Sequence, residues 1–278
     1  MLMVFSPAKS LDFERPSPSL ALTIPQFESE AALLAKQLKR LSPADIRQLM
    51  SLSESLAHLN ADRFAQWEPG VMTPPEARHA ILAFNGDVYD GLNAQSLKKS
   101  DLQWAQGHLC ILSGLYGALR PLDALQPYRL EMGTRFATER GADLYAFWGH
   151  RVTNAINDQL QALKAKREPA VLLNLASQEY AKVLRLKPGP QTDVDPGGPG
   201  LQAEQVVSPV FEDEQPGGSY KVVSFFAKRA RGLMARFVIE QRILKVSDLS
   251  GFDLEGYRWI KGISAPERPV FRRRRAAE

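Results

Sequence analysis

The residues able to do chemistry fall in a few short stretches, each just after an apolar run. Lys9 follows Leu2-Met3-Val4-Phe5 and the break at Ser6-Pro7. A lysine there suits an anion contact or, if desolvated, a nucleophilic amine, although four residues of context fit a surface lysine as well. Asp87 and Tyr89 lie in the loop 85–91, after Ile81-Leu82-Ala83-Phe84. Asn85-Gly86 and Asp90-Gly91 are turn chemistry, but a carboxylate two residues from a phenol suits acid–base or hydrogen-bonding work. Arg120, Arg129 and Glu131 lie in the stretch 109–133, stiffened by Pro121 and Pro127 and relieved by Gly114, Gly117 and Gly133. Such a mixture fits a polar site at a strand's end, or a rigid turn in which an arginine pairs with Glu131. Glu179 and Tyr180 follow a further run, 171–177. Together Lys9, Asp87, Glu131 and Glu179, beside glycines and two arginines, could form a catalytic pocket acting on nucleic acid or a nucleotide.

A second kind of chemistry lies in residues 227–239. At about 100° per residue, Ala230, Leu233, Met234 and Phe237 fall on one side of a helix and Lys228, Arg229, Arg231 and Arg236 on the other. No acidic residue stands among those cations, so the i,i+4 pairs of a merely soluble helix are missing and a phosphate-binding face is the better reading. Gly232 within that face would let a partner's backbone approach, at a propensity cost of ~1 kcal/mol.

The elements that must position these residues are legible in outline. Residues 2–5, 109–112 and 171–177 read as buried strands, and 81–84 as another run of that kind. Residues 206–211 and 220–226 read as paired strands. Residues 28–41 have the pattern of an amphipathic helix, and 102–109 of a short one feeding the central strand. Ser42, Pro43 and Asp45 start a helix that breaks at Ser51-Leu52-Ser53, and a second helix starts on Ser53. That arrangement over 43–60 fits a helix-hairpin-helix unit, in which free helix-end amides meet a nucleic-acid phosphate. The hairpin lacks the usual glycines, and an ordinary helical pair fits equally. Residues 187–200, rich in Pro and Gly, read as a flexible loop within one domain spanning 1–278. The Arg-rich end, 268–278, reads as a disordered tail adding nonspecific attraction.

Composition narrows the partners. The 278 residues are 44% hydrophobic and 24% charged with a net charge of +4, which describes a globular protein that favours anionic partners mildly. The single cysteine, Cys110, sits in an apolar run and has no partner for a disulfide. No signal-peptide pattern and no membrane-length apolar run is present, so a cytosolic location is expected. Phosphate-loop and dinucleotide fingerprints are missing, and His58, His79, His108 and His150 have no i,i+4 spacing. No cofactor, no histidine- or cysteine-based metal site and no obligate protein partner is therefore expected. An oxygen-ligand metal site stays open.

Taken together, SPAKSLDF (6–13), FNGDVYDGL (84–92), LSGLYGALRPLDALQPYRLEMG (112–133), FWG (147–149), NLASQEY (174–180) and SFFAKRARGLMARFVIEQR (224–242) resemble the YaaA family, bacterial proteins linked to peroxide resistance. The resemblance implies an α+β single domain of unusual fold, with a mixed β-sheet, surrounding helices, a basic cleft and a helix-hairpin-helix element. It also implies DNA binding and a role in limiting free iron and its oxidative damage. Carried over by position, the cleft would use Lys9, Arg120, Arg129, Lys228, Arg229, Arg231 and Arg236, and the hairpin would add Ser51 and Ser53. The segment DVDPGGPG (193–200) departs from the family pattern as an insertion, and so does the Arg-rich end. The leading expectation is thus a DNA-binding stress protein with weak base readout and a preference for bent, bulged or flexible duplexes. The rival expectation is the enzyme pocket, and a third is iron held by carboxylates.

Overall fold

The computed structural model describes residues 1–274. Strand β1 (Leu2–Phe5) leads to the short β2 (Ser10–Leu11) and then to three helices, α1 (Glu28–Leu38), α2 (Pro43–Met50) and α3 (Glu54–Gln66). Short elements alternate next: β3 (Arg78–His79), α4 (Ala80–Ala83), β4 (Phe84–Asn85), α5 (Asp87–Leu92) and α6 (Lys99–Ala105). Strands β5 (Leu109–Ser113), β6 (Gly117–Leu119) and β7 (Ala124–Leu125) precede helices α7 (Leu144–Trp148) and α8 (Arg151–Ala165). The chain then forms β8 (Val171–Asn174), α9 (Gln178–Ala181), β9 (Gln205–Val207), β10 (Val210–Glu214) and β11 (Tyr220–Lys221). The long helix α10 (Ser224–Gln241) is followed by β12 (Tyr257–Trp259) and β13 (Val270–Arg273).

The central sheet has the order β6-β5-β1-β8-β9. β1 runs parallel to β5 and β8, β8 parallel to β9, and β6 antiparallel to β5. Every residue of β1 and β5 is buried, as continuous apolar runs must be in parallel strands covered on both faces. Because β1, β5 and β8 are parallel, their carboxyl ends open on one edge, where α/β sheets commonly place their ligands. Fully buried Trp148 fixes the turn beyond β5. Its indole N–H donates to the Gly114 carbonyl at 3.0 Å, and its ring lies where any Gly117 side chain would stand. A second sheet, β11-β10-β13-β12, joins α10 around the ring cluster Phe211, Phe252, Tyr257 and Phe271.

The architecture is α+β with mixed sheets, and several local expectations change. Residues 80–83 form a helical turn, and only Phe84–Asn85 are extended. β10 and β11 do pair antiparallel, but Gln205–Val207 belongs to the central sheet, and Ser224 already starts α10. Pro209, which has no N–H to give a ladder, separates the two strands. Of the Arg-rich end, Val270–Arg273 is a strand pairing with β10 in parallel. Arg272 meets Glu212 at 2.8 Å and Arg273 meets Asp213 at 2.6 Å, so these charges are committed within the fold. The rest of the tail from 275 onward lies outside the described residues. The 187–200 loop has no strand or helix, yet Gly189 and Gly198 exchange backbone hydrogen bonds at 2.9 and 3.0 Å. Asp195 also accepts from the His150 backbone at 3.0 Å and pairs with its ring at 3.1 Å, tying the loop to the start of α8.

α2 and α3 are joined by Ser51-Leu52-Ser53. Ser42 and Asp45 form a capping box, Ser51 takes the left-handed conformation, and the Ser53 hydroxyl accepts from the Leu56 N–H at 3.4 Å.

Candidate functional site

The strand ends meet in a cavity of about 410 Å³ lined by five separate stretches of chain. The first stretch is fixed by hydroxyls. Ser6 Oγ donates to Ser177 Oγ at 3.3 Å and accepts from the Ser177 N–H at 2.8 Å, which joins the end of β1 to the end of β8. The Tyr89 hydroxyl donates to the Ser6 carbonyl at 3.1 Å, adding the start of α5 to the same knot. Tyr128 and Ser113 share a hydrogen bond at 2.6 Å, which anchors the stretch carrying Arg129 and Glu131 to β5. Burial pushes the Tyr89, Tyr128 and Tyr180 phenols above their ordinary range, so they serve here as neutral hydrogen-bonding groups.

The charged groups divide into committed and uncommitted ones. Glu131 is held from both sides, by Lys9 Nζ at 3.0 Å and by Arg129 Nη2 at 3.2 Å. Arg129 Nε is buried and has no partner. One oxygen of Glu179 accepts the Gly133 N–H at 2.9 Å. Asp87, Lys228 and Arg231 have no hydrogen-bond or ion-pair partner among the described residues, although all three line the cavity. Arg231 is half-buried, and that desolvation lowers its pKa from the usual guanidinium value. A charged, partly dehydrated fork with no counter-ion is a site built to gain from an anion.

Two glycines put α10 in reach of the cavity. A Cβ on Gly232 would collide with the Val88 carbonyl, and one on Gly91 with the Arg229 carbonyl, so α5 and α10 cross backbone to backbone. The close approach that Gly232 permits is therefore to α5 of the same chain.

Lys9, Asp87, Arg129, Glu131 and Glu179 of the strand ends are brought together with Lys228 and Arg231 of α10. The other singled-out residues are elsewhere. Arg120 binds buried Asp123 at 2.9 Å and the Ile24 carbonyl at 3.2 Å. Arg229 forms a two-pronged pair with Glu255. Arg236 binds Glu240 at 2.6 Å, Ser96 Oγ at 2.8 Å and the Leu92 carbonyl at 3.1 Å. Arg229 of this face thus takes the distant Glu255 and Arg236 takes Glu240, one turn on along the same helix, while among the described residues Lys228 and Arg231 stay uncommitted. Ser51 lines a separate groove of about 570 Å³ with Arg47 and His58, and Ser53 caps α3 beside it. The Ser6–Ser177 clamp escaped notice in the sequence, although a serine closely following each of two buried runs was a usable signal.

Among the described residues, no three His, Cys, Asp or Glu side chains stand where they could hold a metal ion. No helix among them is long and apolar enough to cross a membrane. Residues 1–262, which carry every residue of the cavity, match the family described as peroxide stress protein YaaA. The chain belongs to the YaaA family. It is 51% identical over 274 residues to a UPF0246 protein of Burkholderia multivorans, covering 99% of each chain. UPF0246 proteins of Leptothrix cholodnii and Paraburkholderia phytofirmans are each 52% identical over 274 residues, covering 98% and 99% of both chains respectively.

Two predictions follow from residues that this YaaA-family chain keeps away from the cavity. Asp123 has a side-chain exposure of 1%, and Arg120 is its cation. Arg120→Ala strands a buried carboxylate, and thermal denaturation should show a loss of about 2 kcal/mol, the usual penalty reduced because water reaches Arg120. Cys110 is fully buried, and burial pushes its thiol up to about 12. Thiolate is the reactive form, so a disulfide reagent at pH 8 should label Cys110 only after denaturant is added.

Proposed function

We propose that this protein acts in the peroxide stress response as a DNA-binding protein that receives backbone phosphate at the strand-end cavity. Its task there is to limit iron-dependent damage to DNA and protein, in the cytosol. The observation that carries the reading is the pair Arg231 and Lys228, cations on a rigid helix that have no internal counter-ion and face a cavity. Arg129, with a buried Nε left over, and Lys9 at the rim extend the same surface. Phosphate contacts of this kind give affinity and salt dependence with little sequence readout. The turn between α2 and α3 supplies a second contact, in the manner of a helix-hairpin-helix unit. There the first-turn amides of the 13-residue α3 and the Ser51 and Ser53 hydroxyls meet a neighbouring phosphate.

Fluorescence anisotropy on duplex and bulged DNA over a salt series tests this reading. Binding that weakens steeply with salt is expected. A protein that fails to bind either DNA at low salt would remove it.

A second reading is favoured by one feature, the three carboxylates in the cavity, which repel a phosphate backbone. Glu131, set between Lys9 and Arg129, is oriented well enough to act as a base on a nucleic acid or nucleotide. A Glu131→Gln protein that keeps its DNA affinity but no longer protects cells from peroxide would favour that enzyme reading. Full protection would leave it without support.

A further inference from the structure

The cavity has room for more than a phosphate group. At about 410 Å³ it could hold on the order of a dozen waters at about 30 Å³ each, and it falls in the size range of small-ligand pockets. Its charges are also mixed. Lys9 and Arg129 are both occupied with Glu131, so the cations still to be satisfied are Lys228 and Arg231, on one helix wall. Asp87 has no partner, and Glu179 keeps one carboxylate oxygen without a donor. A bare anion would satisfy the first set and be repelled by the second. A ligand that carries a phosphate and also several hydroxyl or amino donors satisfies both.

We infer that the strand-end cavity binds a free phosphorylated polyol of up to mononucleotide size, such as a sugar phosphate or nucleoside monophosphate. Arg231 and Lys228 hold its phosphate. Asp87 and Glu179 accept from its hydroxyl or amino groups, as carboxylates do from ribose diols in other nucleotide sites. Tyr180 and Tyr128, kept neutral by burial, give the remaining lining an apolar body with a polar tip. This inference shares its cavity with the DNA reading but does not depend on it, since a free ligand can fill the cavity whether or not a duplex lies across the mouth.

Isothermal titration of the full chain with adenosine 5′-monophosphate, ribose 5-phosphate, inorganic phosphate and adenosine tests it. At least one of the two phosphomonoesters should bind more tightly than inorganic phosphate, and adenosine should bind far more weakly. Arg231→Gln should weaken the phosphomonoester at least about tenfold, the loss expected for one charge-assisted contact. Arg258→Ala, which changes an exposed cation outside the cavity lining, should not. Arg231 has no partner in the fold, so its variant should melt with the wild type, and a melting curve run alongside separates lost binding from lost structure. The inference fails if neither phosphomonoester binds, if inorganic phosphate binds as well as both, or if Arg231→Gln binds like the wild type. Duplex anisotropy on the same proteins separates the two readings. Loss of DNA affinity in Arg231→Gln, with no phosphomonoester bound by the wild type, overturns this inference and leaves DNA binding standing.

Discussion

Replacing Lys228 and Arg231 together by alanine should lower affinity for duplex DNA about a hundredfold at low salt. Each is an uncommitted cation at the cavity, and a hydrogen bond to a charged partner contributes roughly 1.5–3 kcal/mol. The two share one region, so their effects will not add fully, and a combined loss of about 3 kcal/mol corresponds to that factor. The slope of log K against log[salt] should flatten by about 1.8, at roughly 0.9 per phosphate contact removed. Stability should hardly change, because neither side chain has a hydrogen-bond or ion-pair partner among the described residues. Arg229→Ala and Arg236→Ala should do the reverse. They break the pairs with Glu255 and Glu240, lower the melting temperature, and leave the salt slope as it was. An anisotropy titration that finds the opposite pattern would return the contact surface to the solvent face of α10.

Gly232→Val should be among the costliest single substitutions in the chain. A side chain there meets the Val88 carbonyl and the Leu92 N–H, both backbone and neither able to rotate away. Overpacking of this kind destabilises by about 3 kcal/mol or more, which for a chain of this length lowers the melting temperature by roughly 10 °C. The sign is diagnostic with alanine as well. In an unobstructed helix Gly→Ala gains up to ~1 kcal/mol, so a loss in Gly232→Ala reports the crossing with α5. Gly91→Ala, which meets the Arg229 carbonyl from the other side, should behave alike. Both variants retain the Lys228 and Arg231 side chains but displace the helix that carries them, so binding should fall in step with stability.

The polar strand ends were legible because continuous apolar runs with abrupt polar ends fit buried strands meeting solvent. β1 and β8 have that form, and residues just beyond them, 6–10 and then Ser177, Glu179 and Tyr180, line the cavity. Where an apolar run is short, length is the only arbiter, and residues 81–83 became a helical turn. The basic face was only partly legible, for a different reason. Glu255 lies 26 residues beyond Arg229, so no local pattern could show that pairing, whereas Glu240, the i,i+4 partner of Arg236, was readable in the sequence. The Arg-rich end did have a readable counterpart. Glu212 and Asp213 face Arg272 and Arg273 across the β10–β13 ladder, and such opposite-charge pairs stabilise neighbouring strands. An acidic strand and a basic one in the same chain were visible beforehand, but their register was not. The partner of Gly232 was hidden too, since a glycine in a helix says that something comes close without saying what.

The measurement that bears most directly on the central claim is a lysine footprint. Amine acetylation of the protein, with and without saturating duplex DNA, is read by mass spectrometry at each lysine. Lys9 and Lys228 are exposed and line the cavity, whereas Lys36 and Lys261 are exposed and do not. The account predicts that DNA shields Lys9 and Lys228 and leaves Lys36 and Lys261 as reactive as before. Equal labelling of Lys9 and Lys228 in both samples, with protection elsewhere on the surface, would contradict it.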